Sequence, residues 1–187
     1  LSVAGVLLSK SSLLDVDEVV VVGADSELEK LIVVVANIPK SKPILEIDTQ
    51  AISTRIKEIP SVKDAKVSRS FGGKVTVSVT LRKPSVLLSN LGHWFLIDLE
   101  GRVLEQVSEL PPNLEYPIVE GNFNELRIGE WVPDQALFAI ELAANLPPVL
   151  LADISYVSSD DGIELILFGE GKILFGDAEA LESKILA

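Results

Sequence analysis

One stretch of the chain alternates strictly between apolar and polar positions. Lys74-Val75-Thr76-Val77-Ser78-Val79-Thr80-Leu81 sets Val75, Val77, Val79 and Leu81 on one side of an extended backbone and polar groups on the other, which predicts a half-buried strand. Upstream, Glu18 to Val22 is a β-branched run closed by Gly23, a buried strand ending in a turn. Ser26-Glu27-Leu28-Glu29 then has the form of a capping box, with the Ser26 hydroxyl accepting from the third helical amide while Glu29 reaches back to the cap. Behind it Leu28, Leu31, Ile32, Val35 and Ala36 recur with a helical period and define one apolar face. A second helix, capped by Asp48 or Thr49, carries Ile52, Ile56 and Ile59 on one face and stops at Pro60. Val62 to Arg69 predicts another strand. Gly72-Gly73 joins it to the alternating strand as a two-residue hairpin turn, because both positions tolerate positive φ. The first unit therefore reads β-α-α-β-β, and Pro84 marks its end.

From Ser85 the pattern changes to short strands separated by turns. Val86 to Ser89, Trp94 to Asp98, Arg102 to Glu105 and Pro117 to Glu120 predict strands, and a helix from about Pro133 to Asn145 is stopped by Pro147-Pro148. Ile154 to Ser158, Ile163 to Phe168 and Lys172 to Phe175 follow, with hairpin turns at Asp160-Asp161-Gly162 and Glu170-Gly171, and Asp177 caps a last helix. This second unit reads as an antiparallel meander with flanking helices, so the fold class is α+β.

Composition narrows the function classes. With 28 acidic against 16 basic side chains, the net charge of −12 repels phosphate backbones and argues against nucleic-acid binding. The absence of cysteine removes disulfide frameworks, thiolate zinc sites and thiol catalysis. There is no Met, an initiator included, which reads as a piece of a longer product or a processed form. Leu1 to Leu8 is uncharged and mostly apolar, yet shorter than the ~20 residues a spanning helix needs. It suits the outer end of a membrane helix, the tail of a signal peptide, or a first buried element.

Residues with chemistry are sparse. His93, the single histidine, sits between Gly92 and Trp94 at a turn, without the partners that a general base or a metal ligand needs. Asp160-Asp161 is a tempting carboxylate pair, but Asp-Gly between apolar strands is hairpin vocabulary, and the alternate-oxygen pattern of a calcium loop is missing. No phosphate-binding glycine loop and no Gly-x-Ser-x-Gly elbow occurs. Lys57, Lys63, Lys66, Arg69 and Lys74 crowd the first unit and read as a solvated face, with an acidic partner or lipid headgroups as the sharper alternative.

In order and spacing, these segments resemble a known family. Glu18-Val19-Val20-Val21-Val22-Gly23, Pro43-Ile44-Leu45-Glu46-Ile47-Asp48, Ile59-Pro60-Ser61-Val62-Lys63-Asp64-Ala65-Lys66-Val67-Ser68-Arg69, and Val75 to Val79 with Arg82 and Pro84 look like an FtsQ-type POTRA domain. His93-Trp94-Phe95-Leu96-Ile97-Asp98-Leu99-Glu100-Gly101-Arg102-Val103-Leu104 resembles the start of the β domain that follows it in the FtsQ/DivIB cell-division proteins, and Leu110-Pro111 with Pro117-Ile118-Val119, and Ile173-Leu174-Phe175-Gly176-Asp177 with Lys184, resemble later parts of it in order and spacing. The chain departs from the family pattern at Phe71-Gly72 and at Leu81-Arg82.

The resemblance implies a POTRA domain followed by a mostly antiparallel β domain with flanking helices. It divides the chain into an anchor end and linker (1–15), the POTRA domain (16–84) and a β domain (85–187) that stops before its final strand. It further implies a single-pass membrane protein whose extracytoplasmic part scaffolds the division machinery at the septum, with no catalytic residues, cofactor or metal. The implied partners are small coiled-coil division proteins of the FtsB and FtsL type and the membrane, entered by an N-terminal transmembrane helix, with no nucleic acid and no small-molecule substrate. In the family a partner strand docks at a sheet edge near the C-terminus. The last strand present here, Lys172, Ile173, Leu174 and Phe175, is the candidate for that edge. Two other readings are a POTRA protein of envelope assembly or polypeptide transport, and a cell-envelope hydrolase using Asp98, Asp160 and Asp161.

Overall fold

A computed structural model describes residues 15–40, 42–110, 115–160, 162–169 and 171–176. Leu1 to Leu8, Asp161 and the helix expected from Asp177 lie outside the described residues. The chain divides into two compact units between Arg82 and Lys83. Each has its own apolar core.

The first unit runs β1 (Glu18–Val22), α1 (Ser26–Ala36), a 3-10 turn (Ile44–Glu46), α2 (Thr49–Lys57), β2 (Val62–Ser70) and β3 (Lys74–Leu81). Its three strands are ordered β1-β3-β2, with β1 parallel and β2 antiparallel to the central β3. The alternation read in β3 is realised: Val75 and Val77 are fully buried, Val79 nearly so, and all three pack with Ile32, Ala36, Ile52 and Ile56 of the helices. Burying such aliphatic side chains contributes roughly 1.5–3 kcal/mol each, which holds both helices on one face of the sheet.

Three local expectations are corrected. The cap of α1 is Asp25 and not Ser26: the Asp25 carboxylate accepts from the amides of Glu27 and Leu28, at 3.0 and 2.9 Å. A carboxylate one residue earlier satisfies two of the free amides and complements the helix dipole, so it displaces the hydroxyl. Leu31 is not part of the buried face and is 47% exposed, because it lies about 100° around the helix from Ile32, on which the contact is centred. The β2–β3 turn has three residues, Phe71-Gly72-Gly73, since Ser70 pairs with Lys74. Gly72 and Gly73 do adopt φ of 89° and 76°. As read, Asp48 caps α2, accepting from Gln50 and Ala51.

The second unit contains β4 (Pro84–Asn90), β5 (His93–Asp98), β6 (Val103–Val107), β7 (Ile118–Gly121), α3 (Asp134–Asn145), the single turn α4 (Pro148–Leu151), β8 (Ile154–Ser158), β9 (Ile163–Leu167) and β10 (Lys172–Gly176). They form one seven-stranded sheet in the order β10-β9-β8-β7-β4-β5-β6. The sheet is mostly antiparallel, but it is not the simple meander read from the sequence: β7 runs parallel to both β4 and β8. A parallel neighbour needs a crossover, and α3 supplies it between β7 and β8. Ala136, Ala139 and Ala143 let α3 approach closely, so that Ile140 and Leu142 seal the core against Leu88, Val119 and Val157. Among the described residues no helix is long and apolar enough to cross a membrane.

Candidate functional site

The carboxylates suggested for hydrolysis are bound into turns. Asp98 is 4% exposed, and its Oδ1 accepts from the amides of Glu100 (3.0 Å) and Arg102 (2.8 Å), which shapes the β5–β6 turn. Asp160 accepts from the amide of Asn122 at 2.7 Å. Asp98 pairs with Pro84 at the start of β4, whereas Asn122 follows Gly121, which pairs with Asn90 at its end. Six residues of extended chain separate the two positions by roughly 20 Å. Paired-carboxylate hydrolysis needs ~5–9.5 Å, so these two acids serve no common cleft.

The other candidate residues are also accounted for by the fold. His93 is exposed, with its Nδ1 3.4 Å from Gln106 Nε2. Of the basic residues of the first unit, Arg69 donates to the carbonyls of Leu45 and Ile47, Lys57 lies 4.0 Å from Asp64, and Lys74 lies 3.5 Å from Glu18. Three of the five basic residues read as a face thus have partners within the unit, the two lysines in exposed pairs. Among the described residues no group of three or more His, Asp or Glu could hold a metal ion. A hollow of about 220 Å³ between Tyr116, Pro117, Leu151, Ile154 and Phe168 is smaller than the ~300–1,000 Å³ of ordinary ligand pockets and mainly apolar, and a larger one of about 430 Å³ along Ser26, Glu29, Lys30, Val33 and Val34 is an open depression on one helix rather than an enclosed cleft.

What remains are the strand edges, where backbone N–H and C=O groups can pair with another chain. In the second unit the two edge strands differ. Along β6, Val103 donates to Glu130 O and accepts from Gly129 N–H, and Arg102 bridges Trp131, so the segment 128–132 covers that edge where β6 begins. The Arg102 guanidinium lies 5.0 Å from the Trp131 ring centre, which fixes this cover further.

The β10 edge is different: among the described residues it pairs only with β9. Leu167 donates to Gly171 O, so by the alternation of an antiparallel ladder Ile173 bonds inward to Leu165, while Lys172 and Leu174 turn their backbone groups outward. Leu174 is 70% and Ile173 49% exposed. Phe175 packs against the core, and Lys172 holds Glu164 of β9 at 2.9 Å, so both tie the strand down. The four residues read from the sequence are thus one strand in which Phe175 packs inward, the exposed Lys172 pairs with Glu164, and Ile173 and Leu174 present exposed apolar side chains. The covering of β6 was not read from the sequence: Ile128, Trp131 and Val132 are strand-forming residue types, but Gly129 and Glu130 break the run too short to read as a strand.

Comparison with known proteins agrees with this architecture. Residues 14–82 match the family of FtsQ-type POTRA domains. The chain is similar to the cell division protein FtsQ of Streptomyces bingchenggensis, 27% identical over 92% of this chain and 66% of that protein. It is 29% identical to the FtsQ of Streptomyces griseus over 95% of this chain and 88% of the relative. It is 27% identical to that of Chloroflexus aurantiacus, over 94% of this chain and 65% of the relative.

Proposed function

For a chain that carries an FtsQ-type POTRA domain and is related over most of its length to the FtsQ cell-division proteins, we propose the role of a non-catalytic scaffold of the division machinery. In this reading it is the extracytoplasmic part of a single-pass membrane protein, acting at the septum and recruiting or stabilising small coiled-coil partners of the FtsB and FtsL type. The observation that carries the reading is the β10 edge. A partner segment in extended form adds an eighth strand there, hydrogen-bonding to the outward backbone groups of Lys172 and Leu174 and covering Ile173 and Leu174. A binding module needs such an edge and no tuned acid or base. The turn-bound carboxylates of Asp98 and Asp160 and the exposed His93 are in keeping with that.

The test is the affinity of the chain for the FtsB- and FtsL-type proteins of the same organism, by pull-down and titration calorimetry. Leu174→Pro removes an outward N–H without removing a β9–β10 bond, because proline is tolerated where an edge amide faces solvent. We expect at least about a tenfold loss of affinity, about 1.4 kcal/mol, with circular dichroism unchanged. Leu174→Lys should weaken binding in the same direction. Wild-type affinity in both variants would overturn β10 as the docking edge.

A further inference from the structure

Four strands end the two sheets, and three of them are accounted for. Part of β6 is covered, β10 is the edge discussed above, and β2 is guarded. Over its nine residues β2 carries Lys63, Asp64, Lys66 and Arg69, and its register shifts between Val62 and Asp64. Charges and irregularities of this kind discourage edge pairing.

The fourth edge, β1, has neither protection. It is Glu-Val-Val-Val-Val, without lysine, proline or bulge, and among the described residues it pairs only with β3. Glu18 donates to Gly73 O, which sets the phase of the parallel ladder: Glu18, Val20 and Val22 bond inward to β3, and Val19 and Val21 turn their N–H and C=O outward. Asp17 also donates to Gly73 O, so the outward pairing surface begins at Val19.

We infer that β1 is a homotypic strand-pairing edge, which takes β1 of a second copy of this chain antiparallel about a two-fold axis at Val20. The occupant follows from self-complementarity. In that register Val19 faces Val21 of the copy and Val21 faces Val19, so the outward groups form two hydrogen-bonded pairs and Val20 meets Val20 in the closer, non-bonded position between them. The only charge of the strand, Glu18, falls opposite Val22 of the copy rather than opposite its own mate, and Lys74 already balances it at 3.5 Å. Within the five paired residues valines meet valines over the centre, and no like charges face each other. The two three-stranded sheets become one six-stranded sheet in the order β2-β3-β1-β1-β3-β2.

Five residues a side is far fewer than the ~20–30 of a stable complex, so the pairing is weak in free solution and best trapped covalently. The chain has no cysteine, so a single substitution introduces its only thiol. Val20→Cys places two sulfurs across a non-bonded pair, with Cα atoms ~4.5 Å apart, within the range a disulfide spans. Val22→Cys, two residues along, leaves its mate ~13 Å away in the antiparallel register. With oxidised glutathione as electron acceptor and the chain at ~1 mM, we expect at least about five times more disulfide dimer from Val20→Cys than from Val22→Cys. Adding Val21→Pro, which deletes an outward N–H, should return Val20→Cys to the level of Val22→Cys. Equal dimer from the two cysteine variants, whether both low or both high, would overturn the proposal. A Val20→Cys dimer that survives Val21→Pro in a folded chain would overturn it as well.

Discussion

Arg55 of α2 donates from Nη2 to the carbonyl of Ala36 at 2.6 Å and from Nε to that of Val35 at 3.4 Å, so the second helix closes the C-terminal end of the first. The α1 helix has no basic residue in its own last turn. A guanidinium from the neighbouring helix takes that place, and it couples the two helices that cover the sheet.

Arg55→Ala should therefore cost about 1–2 kcal/mol, the worth of charge-assisted bonds at a half-buried helix end. In a unit of this size that lowers the thermal midpoint by roughly 5–10 °C. Circular dichroism melting is the measurement, and Arg55→Lys, which keeps the charge but not the fork, should recover part of the loss. An unshifted midpoint in Arg55→Ala would mean that water caps the helix equally well.

In the second unit the buried side chain of Asn90 clasps the chain after β7: its Oδ1 accepts from Phe123 N at 2.8 Å and its Nδ2 donates to Asn124 O at 3.1 Å. Asn90→Ala leaves a buried amide without its partner, at a cost of about 1–3 kcal/mol. Both tryptophans, Trp94 and Trp131, belong to this unit, so their fluorescence in a denaturant titration reports the shift directly. The exchange of the Phe123 amide with deuterium should accelerate by a factor of about ten or more. Unchanged protection there would show that the clasp is dispensable.

Gly23 ends β1 with φ of 95°, and a Cβ at this position would stand 2.3 Å from Val79 O, a backbone atom that cannot step aside. Gly72 has a similar φ of 89° and open space around it. Gly72→Ala should thus cost about 1–2 kcal/mol, the left-handed backbone penalty alone, and Gly23→Ala at least twice as much. Chemical denaturation of the two variants side by side separates strain from overlap. Equal costs would mean that β1 and β3 shift apart without penalty.

The strands that were legible in the sequence are those whose partner is close along the chain. The β2–β3, β8–β9 and β9–β10 hairpins each carry a glycine turn signal between two strand-like runs, and the alternation of β3 alone predicts which valines are buried. The parallel pairing of β7 with β4 and β8 was not legible. Four residues hold no record of which distant strands they join, and local alternation reads the same in a parallel or antiparallel neighbour. Similarly, the cap of α1 was misplaced by one residue because Asp25 and Ser26 are both good caps and only backbone geometry decides between them. The strand Lys172–Gly176 is legible because it is the last apolar run before a capped segment, whereas the covering of β6 depends on where the 128–132 segment returns in space, which no local pattern encodes.

The position of β7 sets an order of events during folding. Its flanking strands sit in two local hairpin arrays, β4-β5-β6 and β8-β9-β10, whose contacts close small loops and form on the microsecond scale of hairpins. Joining them requires β7 to find Leu88 through Val119 and Val157 through the same residue, across the long β6–β7 connection and across α3. That step closes the largest loops of the unit, so we expect Ile118–Gly121 to join last, as the latch that turns two half-sheets into one.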